Sequence, residues 1–100
     1  MNDLVEIMVS KIPYGKENAV SRNHLMDELH LSDRKVRRLI EKARAAGFMI
    51  VNPKDGNGYY QTDDLDEISA QYWSDTSYAM SILSRRKHMR EVLKAAGRAV

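Results

Sequence analysis

The sequence predicts a mainly α fold of the α+β class, in which a three-helix core and a β-hairpin precede a long C-terminal helix or two shorter ones. Three observations lead to this prediction. Two short amphipathic helices with a tight turn between them occupy 21–47, two apolar runs enclose a glycine-containing turn in 48–62, and no proline or glycine interrupts 63–96. We expect two units, a domain at 1–62 and a helical extension at 63–100.

Composition narrows the class of protein. With 43% hydrophobic and 30% charged residues, the 100-residue chain is typical of a soluble globular domain. The absence of cysteine removes disulfides, thiolate metal sites and cysteine nucleophiles. No segment approaches the roughly 20 apolar residues that cross a bilayer, and the N-terminus lacks a signal-peptide pattern. We therefore expect a cytoplasmic protein with no membrane partner.

The first helix is predicted at 3–12, and Pro13 and Gly15 end it. Its apolar face is expected to consist of Leu4, Ile7 and Met8, with Lys11 or Ile12.

The next two helices each begin at a serine. The hydroxyls of Ser21 and Ser32 are placed to accept hydrogen bonds from free backbone N–H groups of the turn that follows. Leu31 is expected to fill the angle between the two helices, and Gly47 ends the second one because glycine adopts the left-handed conformation at little cost. The apolar stripes of the two helices are Leu25, Met26 and Leu29, and Val36, Leu39, Ile40 and Ala43.

The second of these helices carries a dense positive charge away from its apolar stripe. Its cations are Arg34, Lys35, Arg37, Arg38, Lys42 and Arg44, against the two acids Asp33 and Glu41. A helix that packs one side on a core and presents guanidinium groups on the other suits the major groove of DNA.

A β-hairpin is predicted from the apolar runs at 48–51 and 59–62. The Asp-Gly and Asn-Gly pairs at 55–58 supply residues that tolerate positive φ in hairpin turns. Tyr59 and Tyr60 alternate across the strand, so one is expected to point inward and the other to stay partly exposed.

The C-terminal segment begins with an acidic cluster. Asp64 is expected to cap the helix, with Glu67 three residues later as in a capping box. Binding of a metal by this cluster is not expected, because adjacent residues on a helix point in different directions.

From Leu65 onward an apolar heptad line predicts packing against another helix. Its positions, which we call the seam, are Leu65, Ile68, Tyr72, Asp75, Ala79, Ile82, Arg86, Met89, Leu93 and Ala96. Asp75 and Arg86 interrupt it: either they pair between copies of an antiparallel dimer, or a helix break lies at 74–77. The basic residues of 85–98 either contact phosphates or dock on the acidic 63–75 segment of a neighbouring molecule.

A resemblance can now be stated. The positions Leu25, Leu29, Leu31, Val36 and Leu39, with the cap at Ser32, resemble a bacterial helix-turn-helix. With the hairpin, residues 1–61 are similar to the winged helix at the N-terminus of biotin repressors and to small winged-helix proteins of phages and bacteria. The chain departs from that pattern at His30, where glycine is common. The resemblance implies a short third strand at 19–21, with Val20 in the core.

The resemblance also implies that helix 32–46 lies in the major groove of DNA. Its base-facing positions would be Ser32, Asp33, Arg34, Arg37, Arg38 and Glu41. Among them Arg34 and Arg38 are expected to contact guanine, while Arg37, Lys42 and Arg44 are expected to meet phosphates. The remaining DNA-binding candidates are Lys35, Ser21 and Arg22 at the helix starts, and Lys54 and Asn57 in the hairpin loop.

These features predict sequence-specific binding of double-stranded DNA by a nucleoid-associated transcriptional regulator or phage replication accessory protein. A homodimer through the C-terminal helix would present two recognition helices to half-sites about 34 Å apart. The alternative is a protein-interaction module in which the winged helix is a scaffold and the C-terminal helix is a docking surface. No enzyme activity, cofactor or metal is expected, because His24, His30 and His88 fit no catalytic or metal-binding motif.

Overall fold

The structure is a computed structural model that describes residues 3–100, with side chains from Leu4 onward. In chain order its elements are α1 (Asp3–Ser10), a 3-10 turn (Lys16–Asn18), α2 (Arg22–Leu29), α3 (Asp33–Ala45), β1 (Ile50–Val51), β2 (Tyr60–Gln61) and α4 (Leu65–Ala95). The prediction of a mainly helical α+β chain with a hairpin and a long C-terminal helix is confirmed.

The turn between α2 and α3 follows from local side-chain chemistry. The Ser21 hydroxyl accepts a hydrogen bond from the His24 N–H at 3.0 Å, and the Ser32 hydroxyl accepts one from the Lys35 N–H at 3.2 Å. His30 ends α2 with a left-handed φ of 55°, a conformation in which histidine is enriched among non-glycine residues. Both predicted serine caps are confirmed, and a histidine performs the turn that glycine commonly makes.

The core lies where α1 and α2 pack against α3. It consists of Val5, Met8, Ile12, Leu25, Val36, Leu39, Ile40, Ala43, Ile50 and Tyr59. The predicted stripe of α3 is buried in full, but the predicted face of α1 is wrong in part: Leu4 and Ile7 are exposed, and Val5 is buried beside Met8. The helix is rotated so that Val5 and Met8, which are three residues apart, face the core, and Ile12 is buried just after the helix ends.

The hairpin is short and gains a third backbone segment from the loop before α2. β1 and β2 pair antiparallel, with Val51 opposite Tyr60. Val20 forms an isolated antiparallel bridge with Tyr59, through N–H to O distances of 2.9 Å and 2.7 Å. The expected third strand therefore exists as a single bridge, and Val20 is partly buried against the core.

The prediction for the two tyrosines of the hairpin is wrong in part, because both are buried. Tyr59 is 7% exposed and belongs to the core, while Tyr60 on the opposite face of the strand is 1% exposed. The Tyr60 hydroxyl donates to Glu67 in the first turn of α4 at 2.7 Å. The start of α4 therefore covers the face of the hairpin that was expected to remain partly open.

The N-terminus of α4 is capped as predicted at Asp64, whose carboxylate accepts the Glu67 N–H at 3.0 Å. The Glu67 side chain does not return to the Asp64 N–H, as it would in a complete capping box. It accepts instead from the Thr62 hydroxyl at 2.5 Å and from Tyr60, while the Asp64 N–H donates to the Thr62 hydroxyl. Glu67 thus joins α4 to the end of the hairpin.

We expect stability to fall at high pH through Tyr60. Burial and the hydrogen bond to Glu67 raise the pKa of Tyr60 to about 12. Because the pKa of Tyr60 is higher in the folded than in the unfolded chain, the protonated tyrosine stabilises the fold fully below about pH 10, and this contribution is lost as the pH rises towards 12. The contribution to the free energy of unfolding is about 2–3 kcal/mol. Urea unfolding across this range checks it. Tyr60→Phe is expected to lose most of this pH dependence, and an unchanged pH dependence in that variant would contradict the assignment.

α4 is one uninterrupted helix of 31 residues. At 1.5 Å per residue it is about 46 Å long, which accounts for most of the 51 Å long axis of the chain. The helix passes through 74–77 without a break, and the Thr76 hydroxyl there donates to the Tyr72 carbonyl at 2.8 Å. α4 contacts the hairpin near its start, where Gln71 accepts the Asn52 N–H at 2.9 Å. The alternative of two shorter helices is therefore wrong.

Candidate nucleic-acid interface

The outer face of α3, by which we mean Arg34, Arg37, Arg38, Glu41 and Lys42, lies opposite the buried stripe of that helix. At about 100° per residue, Arg34, Arg38 and Glu41 lie on the line farthest from the core, and Arg37 and Lys42 flank this line on either side. All five side chains are exposed. The two arginines predicted to contact bases therefore occupy the most protruding positions.

Four of the six cations of α3 form no salt bridge with an acid in the described part of the chain. The salt bridges found there leave out Arg34, Lys35, Arg38 and Lys42. The two carboxylates of α3, Asp33 and Glu41, pair with Arg37 and Arg44. The other four cations of the helix leave it with a net positive charge, which creates a surface potential that attracts polyanions. This part of the helix is electrostatically available to a partner.

Asp33 holds two of the predicted DNA-binding arginines in place. Its carboxylate pairs with Arg22 at the start of α2 and with Arg37 one turn further along α3, the latter at 3.0 Å. Hydrogen bonds to Tyr59 and to Asp33 raise the pKa of Arg22 above its usual value. These salt bridges connect α2 to α3 at the surface, and they occupy the Asp33 carboxylate with guanidinium groups of its own chain.

Arg44 differs from the other predicted contacts because its side chain is committed to the hairpin and to α3. Its Nε donates to the Ile50 carbonyl at 3.0 Å, and a terminal nitrogen donates to Glu41 at 3.0 Å. The guanidinium also lies 6.0 Å from the ring centroid of Tyr59. Arg44 therefore supports the start of β1, and the proposal below does not use it.

The loop between β1 and β2 exposes Lys54 and Asn57, the two candidates predicted there. The neighbouring Asp55 is 3.8 Å from Lys16, which belongs to the 3-10 turn before α2. Ser21 and Ser32 are exposed as well, but their hydroxyls accept the capping hydrogen bonds of α2 and α3. The serines orient the helices, whereas Lys54 and Asn57 extend from the body on the hairpin.

Tyr59 is a contributor that sequence reasoning missed. Its ring packs in the core, Arg44 lies beside the ring, and Tyr59 contributes to the raised pKa of Arg22. Tyr59 thus links α2, the hairpin and the end of α3 beneath the charged surface. In the sequence, the only indication of its role was that inward and outward side chains alternate along the predicted strand. That alternation does not show which helices cover either face of the hairpin.

The histidine of α2, His24, is paired with a neighbouring carboxylate. The Nε2 atom of His24 lies 2.9 Å from a carboxylate oxygen of Glu28. Glu28 also pairs with Lys11, just after α1, at 3.2 Å, and the hydrogen bond from Lys11 lowers the pKa of Glu28. Among the side chains from Leu4 onward, no three metal-ligating residues converge on a common point. No helix within residues 3–100 has both the length and the apolar character of a membrane span.

Comparisons of the chain with models of protein families, with curated proteins and with solved structures found no match. The assignment of a function therefore depends on the geometry and charge of the residues described above.

Proposed function

We propose that this chain is a winged helix-turn-helix protein that binds double-stranded DNA in a sequence-specific manner, as a transcriptional regulator or phage replication accessory protein. The arrangement of α1, α2 and α3 with the hairpin after α3 is compatible with that fold. The observation that carries the proposal is the outer face of α3, where Arg34 and Arg38 lie opposite the buried stripe and pair with no acid among the described residues.

In this proposal α3 enters the major groove. Arg34 and Arg38 protrude farthest and have planar guanidinium groups, which suit bidentate contact with the O6 and N7 atoms of guanine. Arg37 and Lys42, on the two flanks of the same helix, are placed to meet phosphates on either side of the groove. Lys54 and Asn57 on the hairpin loop supply further contacts to the backbone or minor groove.

The alternative function is a protein-interaction module in which α4 is the docking surface. The exposed apolar side chains of α4 favour it. That alternative gives the outer face of α3 no role, and it predicts weak binding to DNA without sequence preference. The two proposals therefore differ in what they expect from substitutions on α3.

The experiment that tests binding to the DNA backbone is a titration of duplex DNA at several salt concentrations. Replacing Lys42 with alanine is expected to weaken binding to all sequences equally and to reduce the slope of log K against log salt by about one, because one fewer counterion is released. Lys11→Ala is the matched control, since Lys11 lies on the α1 side and pairs with Glu28. Equal slopes for Lys42→Ala and the parent protein would contradict the placement of α3 against the phosphates.

A further inference from the structure

The seam is open in the single chain. No residue of α4 is buried, and Leu65 is 79% exposed while Tyr72 and Met89 are each 61% exposed. The hairpin contacts the helix beside the seam, through Glu67 and Gln71. An exposed apolar heptad line of this length predicts packing against another helix.

The two charged positions of the seam determine which second helix fits. If α4 of a second copy lies antiparallel with its Arg86 opposite Asp75, the symmetry axis falls between Met80 and Ser81 and both charged positions are paired at once. The same register places Tyr72 opposite Met89 of the second copy. Asp75 accepts a hydrogen bond from Gln71 of its own helix at 2.9 Å, which leaves its negative charge without an opposite charge. A charge that is covered by a second helix without an opposite charge destabilises the pair of helices, so the Asp75–Arg86 pair favours one register.

The spacing of the other seam positions agrees with this register. Pairing Asp75 with Arg86 sets a residue that follows a three-residue step against one that follows a four-residue step, and in such a register a reversed heptad line has equal steps side by side. Here each step lies beside an equal one: Ile68 to Tyr72 beside Leu93 to Met89, and Ala79 to Ile82 beside the same two residues in reverse. Every layer other than the charged pair is then apolar on both sides.

The distribution of charge along α4 favours the same orientation. Five acids and no base lie in 63–75, and six bases with one acid lie in 85–98. An antiparallel pair brings the acidic part of each helix beside the basic part of the other. A parallel pair would place like charges together and would set Asp75 against Asp75 and Arg86 against Arg86 in the seam, which is destabilising.

We infer that α4 is the interface of an antiparallel homodimer in which Asp75 of each chain pairs with Arg86 of the other. The two bodies formed by residues 3–62 then lie at opposite ends of the helix pair, because each body precedes its own α4. This inference concerns the partner of α4 and does not depend on DNA binding, since dimerisation is measured with the protein alone.

The first test is a charge swap followed by sedimentation equilibrium. Asp75→Arg and Arg86→Asp each place like charges opposite one another and are expected to weaken the dimer at least tenfold. The double variant Asp75→Arg/Arg86→Asp restores opposite charges at both pairs and is expected to recover the parent affinity. Because both residues are exposed in the single chain, the variants are expected to fold, and circular dichroism checks that they do.

Two results would overturn the inference. One is a parent protein that stays monomeric up to about 100 µM, where weak specific association is normally detectable. The other is a dimer that tolerates both single variants, which is the behaviour of a parallel pair or of an interface elsewhere.

The second test determines orientation and uses the absence of cysteine from the chain. Tyr72→Cys and Met89→Cys place single thiols on the seam, about 26 Å apart along one helix. Under mild oxidation an equimolar mixture is expected to give a disulfide-linked heterodimer, while neither variant alone cross-links to itself. Efficient self-cross-linking of each variant alone would show a parallel pair and overturn the inference.

Discussion

Replacement of both Arg34 and Arg38 with alanine is expected to abolish the preference of this protein for its DNA site while leaving its fold intact. Each bidentate contact between arginine and guanine discriminates against a wrong base by about 1–3 kcal/mol, so losing two contacts lowers specific affinity on the order of 30-fold to 10⁴-fold. Both side chains are exposed and lie outside the core, so the melting temperature should change little. Fluorescence anisotropy with the selected site and with a scrambled duplex measures the effect.

The matched control for that variant is Lys11→Ala/Lys16→Ala, which also removes two exposed cations but lies outside α3 and α4. The control is expected to keep the preference of the parent protein for the selected duplex over the scrambled duplex. A double arginine variant that kept the parent preference would show that α3 does not contact the base edges.

Gly58→Ala is expected to cause the largest loss of stability from a single methyl group. Gly58 has a φ of +132°, and a Cβ there would lie 2.1 Å from the Val20 carbonyl oxygen. The backbone must separate, which breaks the two hydrogen bonds between Val20 and Tyr59 at about 1 kcal/mol each and adds strain of about 1–3 kcal/mol. A total of about 3–5 kcal/mol is a large part of the stability of a small domain, and urea unfolding measures it.

The control is Gly47→Ala. Gly47 also has a positive φ, of +102°, but a Cβ there meets no atom within 4 Å. Gly47→Ala is therefore expected to lose about 1–2 kcal/mol of unfolding free energy, which is the cost of placing alanine in the left-handed region without any steric clash. If the two variants lost equal stability, the close approach between Gly58 and Val20 would not be the source of the effect.

The parts of the fold that the sequence predicts correctly depend on local chemistry. The caps at Ser21, Ser32 and Asp64 are determined by hydrogen bonds within one turn of helix. The buried stripe of α3 follows from helical spacing alone, and so does the position of Arg34 and Arg38 opposite it. Neither prediction requires knowledge of distant residues.

The parts that the sequence does not predict depend on contacts between distant elements. Tyr60 is buried because α4 covers it through Glu67, and no strand pattern contains that information. Arg44 resembles its neighbours in the sequence, yet the carbonyl of Ile50 draws its side chain to the hairpin. The rotation of α1 towards Val5 likewise depends on how α1 packs on α3. Residues in similar local sequence patterns therefore have different roles, because distant elements that pack beside them decide whether a side chain is buried or exposed.

Selection from random double-stranded DNA followed by sequencing tests most directly our proposal that this chain binds a specific DNA sequence. The selection is made at about 0.15 M salt, where attraction to phosphates alone does not dominate. If the proposal is correct, we expect recovery of a defined motif with guanines at the positions that α3 contacts, repeated as an inverted pair if α4 joins two copies. Recovery of no motif, with weak binding that disappears as salt rises, would contradict sequence-specific binding and would favour the protein-interaction module.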